Sequence, residues 1–379
     1  MKLIAWMVVL ACLLGAGAAP VAAKAAPQLG LSVRDGVLIK DGQPYRGIGV
    51  DYFSAFLRVL NNEKDTSYEQ GFQTLAAHRI PFARVSILGF WPNDNKLYLE
   101  DKAQFFARLD RVVQSAERNH VGLIPSFFWN AQTVSDMAGE PGDQWGNPQS
   151  KTRQFMQTYA REVVLRYRHS PAIWGWEFGN EWDLSADLPN AAEHRPGIVP
   201  QLGTPATRTA RDEMTGVAIH AAFVAFAREV RQYDPSRIIE SGNGFPRPSA
   251  WHNRHGRTWE ADTPAQYEAM LLDNNPDPFS VISVHLYSPD DPLTLALAIA
   301  SRAKKPLFAG EFGATTPAAF HALLARIERE HVPLAALWVF DRSDADDPFN
   351  VSATNRRAYQ LEALTEANDQ IKRKDRNNP

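Results

Sequence analysis

From residue 45 onward the chain alternates between two kinds of apolar pattern. One kind is short and apolar at nearly every position: 45–51, 82–87, 122–128, 172–178, 237–241, 280–286, 306–311 and 334–340. These runs lack the two-fold alternation of a half-solvated sheet, so they read as strands covered on both faces. The other kind repeats at helical spacing, as Phe155, Tyr159, Val163, Val164 and Tyr167 do within 151–168. Similar stretches cover 68–78, 102–118, 211–233, 317–331 and 358–372. Eight strands, each followed by helical sequence, predict an α/β chain folded as a (β/α)8 TIM barrel. An open doubly wound sheet would open on a glycine-rich phosphate loop, and Gly47-Ile48-Gly49-Val50-Asp51 leads into none. Ahead of the barrel, Asp35-Gly36 and Asp41-Gly42 punctuate short apolar runs and predict a short N-terminal β-hairpin, placed to plug the barrel's bottom. The longest irregular stretches follow strands four (182–208) and five (242–263), on the rim where such barrels keep their sites.

Composition narrows the picture. With 379 residues, 44% hydrophobic and 22% charged, the chain has material for one large barrel core. A net charge of −3 argues against a polyanion-binding protein, so neither nucleic acid nor an anionic membrane is an expected partner. The N-terminus carries Lys2, an apolar stretch from Leu3 to Leu14 and small residues around Ala23 to Ala25. That is the pattern of a secretory signal: residues 1–23 are expected to be removed, leaving a single catalytic domain over 24–379, secreted or periplasmic. The one cysteine, Cys12, lies inside the apolar stretch, so the mature chain has no thiol chemistry, and continued apolar sequence beyond it argues against a lipoprotein.

Two glutamates carry the chemistry. Glu181 closes Ile173-Trp174-Gly175-Trp176-Glu177-Phe178-Gly179-Asn180-Glu181, and Glu311 closes Pro306-Leu307-Phe308-Ala309-Gly310-Glu311. On parallel barrel strands both emerge at one rim, and two facing carboxylates are what glycoside hydrolysis needs. Other strand ends supply partners. Arg84 is placed to stabilise charge on a nucleophilic carboxylate. His285 and Tyr287, two apart, both face the cleft, the tyrosine toward the nucleophile. Asn180 is placed to hydrogen-bond a sugar hydroxyl. Glu177, mid-strand, is expected inside the barrel as a structural acceptor. Tryptophans at positions 91, 129, 182, 251 and 338 fall on the same rim, where indole stacks on sugar rings, whereas Trp174 and Trp176 read as core. His252 and His255 have a two-ligand spacing but no third partner, so no metal and no cofactor are expected.

With these residues in place, the chain resembles the cellulase-like family 5 glycoside hydrolases, (β/α)8 enzymes with catalytic glutamates on strands four and seven. The resemblance spans about residues 30–345 and rests on Arg84, Trp176 to Glu181, His285-Leu286-Tyr287, Gly310-Glu311-Phe312-Gly313 and Trp338. It implies that Glu181 is the acid/base and Glu311 the nucleophile, with Arg84, Asn180, His285, Tyr287 and Trp338 holding the reacting sugar. The family's usual histidine near the end of strand three is absent from Ser126-Phe127-Phe128-Trp129-Asn130, where Trp129 or Asn130 would stand in. Trp182 occupies a position where many relatives have proline, and it too is a candidate for the substrate cleft.

The function expected is therefore a secreted, monomeric retaining hydrolase of β-linked glycans, of β-glucan or β-mannan type. A non-catalytic glycan-binding barrel and a transglycosylase using the same intermediate stand as alternatives. A retaining reaction needs the Glu181 carboxyl to start protonated, which burial and the charge of Glu311 would promote.

Overall fold

The structure, a computed structural model, describes residues 28–342 and 347–377; the signal-like segment and Cys12 lie outside them. Eight parallel strands form one sheet: β1 (Gly47–Asp51), β2 (Phe82–Ser86), β3 (Gly122–Phe128), β4 (Gly175–Gly179), β5 (Ile238–Glu240), β6 (Ile282–Leu286), β7 (Leu307–Phe312) and β8 (Leu334–Leu337). Hydrogen-bonded neighbours run β5-β4-β3-β2-β1-β8-β7-β6, a barrel read around its circumference. The seam between β5 and β6 is closed by one backbone hydrogen bond, Ser280 N to Ile239 O (2.9 Å), and by side chains. Ile239 N donates to Ser280 Oγ (3.1 Å), and Ser241 Oγ and Ser283 N both donate to Asn275 Oδ1 (2.8 and 2.9 Å). Among the described residues no helix is long and apolar enough to cross a membrane.

Outside the strands run α1 (Ser67–Ala77), α2 (Lys102–Arg118), α3 (Lys151–Tyr167), α4 (Gly216–Tyr233), α5 (Pro264–Asp273), α6 (Leu293–Arg302), α7 (Pro317–Arg329) and α8 (Tyr359–Asn377). Serine and threonine caps start several of them, such as Ser150 on Arg153 N and Thr316 on Ala319 N. The expected stretch after strand five is not wholly irregular, because Ala250–Gly256 forms about two helical turns whose first amides are capped by Asp262.

The N-terminal hairpin pairs Leu31–Arg34 with Val37–Lys40, and Gln43–Pro44 adds a third short strand. Both Asp-Gly pairs take positive φ, as tight hairpin turns require. Leu31 and Leu38 are buried against Phe82, Ile124, Trp174 and Phe308, sealing the bottom of the barrel. Each such leucine contributes about 1.5–3 kcal/mol by leaving water. Above this apolar floor the interior turns polar, with Arg84, Glu177, Glu240 and Ser283 all fully buried.

Strand β7 contains the irregularity that matters most. It pairs in step with β6 as far as Ala309 opposite Val284, then slips so that Glu311 lies opposite His285. Alternation counted from Phe308, which faces the floor, would put Glu311 on the outer surface. The extra residue, Gly310, turns it inward. A Cβ at Gly310 would stand 3.3 Å from His285 Nε2, so any side chain there would press on the imidazole.

Candidate active site

Arg84 is the hub of the barrel's mouth. Fully buried on β2, it donates from Nε to Glu177 (2.5 Å), from Nη1 to Asp51 (3.0 Å) and to Glu311 (2.8 Å), and from Nη2 to Asn180 Oδ1 (2.7 Å). Its guanidinium also lies over the Trp129 ring, 4.6 Å from the centroid. One cation therefore faces three carboxyls, and a fourth, Glu240, sits beside Glu177. Burial pushes both Asp51 and Glu240 well above the usual carboxyl range; Arg84 opposes it at Asp51, and Glu177 reinforces it at Glu240. The protonated forms of those two relieve the charge imbalance around a single arginine.

Glu181 and Glu311 meet across this hub. Glu311 accepts from Arg84 on Oε1 and from the Tyr287 hydroxyl on Oε2 (2.5 Å). Loss of water and the Glu311 charge hold the Tyr287 phenol far above its normal range, so it acts as a donor. His285 Nδ1 lies 2.8 Å from Glu181 Oε1 and 3.5 Å from Glu311 Oε2. One side-chain atom from each of Glu181, His285 and Glu311 lies within 4.8 Å of the other two. Carboxyl groups about 5–5.5 Å apart suit a retaining glycosidase and about 6.5–9.5 Å an inverting one; oxygens that approach within 4.8 Å fit the closer arrangement.

The backbone around Glu181 is built to hold it there. Its φ is +52°, in the left-handed region a glutamate rarely enters, and its N–H donates to Gly242 O at 2.9 Å. Gly242 has φ +73°, and a Cβ on it would stand 1.8 Å from Gly179 O. Only glycine fits that turn.

The protonation expected of Glu181 is not the one found. Burial pushes its carboxyl up, but the hydrogen bond and charge of His285, with Arg84 behind, outweigh it, and the carboxyl sits below its ordinary value. Burial lowers His285, but Glu311 and Glu181 together leave it raised. At rest the proton belongs to the imidazole.

The other candidates divide. Asn180, with its oxygen bound by Arg84, keeps its amide N–H groups for a ligand. Trp338 is partly open and stacks at 5.2 Å on Phe53, with Trp129 at 6.0 Å completing an aromatic wall. One expectation needs correction. Trp182 is 2% exposed, its Nε1 donating to Phe128 O (2.9 Å) and its ring edge-on to Trp145 and Phe178, because the left-handed turn at Glu181 folds the next side chain beneath the rim. Asn130 turns its amide N–H to Phe90 O (3.1 Å), bracing the loop after β2, while the Trp129 ring lies against Arg84. His252 and His255 do not converge: one meets Asp262 and the other Trp251 O. Glu177 is the buried acceptor expected of it. Asp51, Glu240 and Phe53 were not singled out from sequence, although each stands at or just beyond a strand end.

No protein-family model matches the chain. Mannan endo-1,4-beta-mannosidase F of Aspergillus clavatus is 36% identical over 80 residues, 20% of this chain and 18% of that one. The chain thus aligns with under a fifth of the length of that curated relative. The endo-1,4-beta-mannanase of Rhizomucor miehei superimposes with a TM-score of 0.65 at 16% identity, covering 91% of this chain and 99% of that structure. A glycoside hydrolase family 5 mannosidase of the same organism gives 0.62 at 12% identity, covering 92% and 99%. The chain has the (β/α)8 barrel of the family 5 mannanases and mannosidases on which it superimposes.

Proposed function

We propose that this barrel is a retaining glycoside hydrolase of β-mannan-type glycans, with Glu311 as nucleophile and Glu181 as acid/base. The observation that carries the reading is the placement of Glu181 and Glu311 within 4.8 Å, bridged by His285. The mannan-acting relatives support the choice of glycan, and export of residues 24–379 suits a polymer met outside the cell. Glu311, its charge matched by Arg84, attacks the anomeric carbon. As the sugar excludes water, a charged pair becomes costlier than a neutral one, so the His285 proton passes along the 2.8 Å hydrogen bond to Glu181. Glu181 gives that proton to the departing oxygen. It then takes one from the water that hydrolyses the glycosyl-enzyme.

The test is the wild-type protein beside Glu311→Gln on β-mannan, β-glucan, xylan and aryl β-glycosides, with the anomer of the first product read by NMR. Release of β-configured mannosides by the wild type alone is expected. An α-configured first product would overturn the retaining mechanism, and action confined to glucan or xylan would overturn the choice of mannan.

A further inference from the structure

Behind Glu181 lies a carboxyl that the mechanism does not use. Asp183 stands two residues on, in the 3-10 turn Trp182–Ser185 that Glu181 begins and that closes through Leu184 N on Glu181 O (3.1 Å). It is 8% exposed. Asn274 Nδ2 donates to its Oδ2 at 3.2 Å, whereas Oδ1 has no hydrogen-bond partner. It borders a cavity of about 10 Å³ walled by Asp187, Arg247, Arg254 and Asn274, on the order of one water in size.

The cations nearby turn elsewhere. Arg247 donates to the carbonyls of Asp183, Leu184 and Ala186, and Arg254 pairs with Asp187 (3.0 Å) and Asp273. The charge of Asp183 is felt together with that of Glu181 in its own turn, His285 on β6 and the Arg247 guanidinium, and it acts on Tyr267 of α5. A buried carboxyl with a free oxygen and no paired cation, beside a carboxylate and an imidazole that share a proton, acts on that proton through its charge.

We propose that Asp183 is a positioning residue of this site, its buried carboxylate fastening the proton that the Glu181–His285 pair carries. The inference rests on the reading of Glu181 as acid/base. Burial first, and then Glu181, push Asp183 up to about 7. Below that pH Asp183 is neutral and leaves the pair alone. Above it the new negative charge opposes loss of the pair's proton, extending the range in which Glu181 can act as an acid.

Asp183→Asn keeps the shape and removes the charge. The titration of the His285 ring, followed by its NMR signals in both proteins, is expected to show the alkaline midpoint falling by about half to one pH unit in the variant. In kcat/KM on an aryl β-mannoside, the alkaline limb should fall by the same interval and the acid limb stay in place. A residue with only a structural role would scale the whole profile without moving either limb. An unmoved His285 midpoint overturns the inference whether or not the protein turns over any glycoside. A midpoint that falls in a protein inactive on every glycoside upholds the coupling and overturns the hydrolase reading instead. Asp183→Ser repeats the titration with a smaller neutral group, should the amide disturb the turn.

Discussion

His285 and Glu181 are joined by a 2.8 Å hydrogen bond that widens the ordinary gap between their affinities for a proton, raising the imidazole and lowering the carboxyl. The acid of the proposed reaction therefore rests as half of an ion pair. Because His285 is raised on folding, its contribution to stability is complete below about pH 6.5 and fades as pH climbs through the folded value. Because Glu181 is lowered, its contribution is complete above about pH 4.5 and fades as pH drops through the folded value. Thermal unfolding of wild type and His285→Gln across pH should differ most between these limits and converge on either side. A difference that stays constant with pH would remove the ion pair.

Glu181→Gln should cut hydrolysis of mannan by about a hundredfold or more, the usual size of general-acid assistance. Aryl mannosides with good leaving groups need no proton for the first step, so their glycosyl-enzyme should still form. Pre-steady-state release of the phenol measures this. An equal loss of that step on both substrate classes would take Glu181 out of the role.

Arg84→Met is expected to cost about 3–5 kcal/mol, because it leaves Glu177 and Glu311 facing each other in a buried space with no cation. Adding Glu177→Gln should restore part of that loss without restoring activity. Urea midpoints for the two variants decide it, and a double variant no more stable than the single one would contradict the charge argument.

The two tryptophans should separate cleanly. Trp182→Ala empties a space packed by Trp145, Phe178 and Phe223, at a cost of about 3–5 kcal/mol, and should leave KM unchanged in the protein that folds. Trp338→Ala removes an open aromatic face and should raise KM about five- to tenfold, with little change in melting temperature. The reverse assignment of effects would mean that the indole facing the sugar is the buried one.

How much of this was legible beforehand depends on what each residue's neighbours in sequence reveal. Glu181, Glu311, Arg84, His285 and Tyr287 could be placed because each stands in or just beyond an apolar run, and a parallel barrel sends all such ends to one rim. The helices α5 and α6 were not named. At ten residues each they are short, and α6 (Leu-Thr-Leu-Ala-Leu-Ala-Ile-Ala-Ser-Arg) is apolar around most of its circumference. Trp182 was misplaced because a left-handed glutamate leaves no mark in sequence, and that single dihedral decides which way the next side chain points. The resting proton was misassigned for a different reason. Burial and Glu311 were foreseen, but the imidazole that outweighs them comes from β6, 104 residues away, at a distance only the fold can set.

The slip at Gly310 makes the nucleophile an accident of counting. Every other strand could keep its sequence and its pairing, and if β7 took Gly310 into the ladder as an ordinary paired position instead of bulging, Glu311 would pass to the outer face of the barrel and Phe312 to the mouth. Such a chain would still bury its floor and close its seam, yet present no nucleophile to the anomeric carbon. For anyone redesigning this scaffold, the difference between a catalyst and an inert glycan-shaped bowl is one residue of register, adjustable without touching any side chain that meets the sugar.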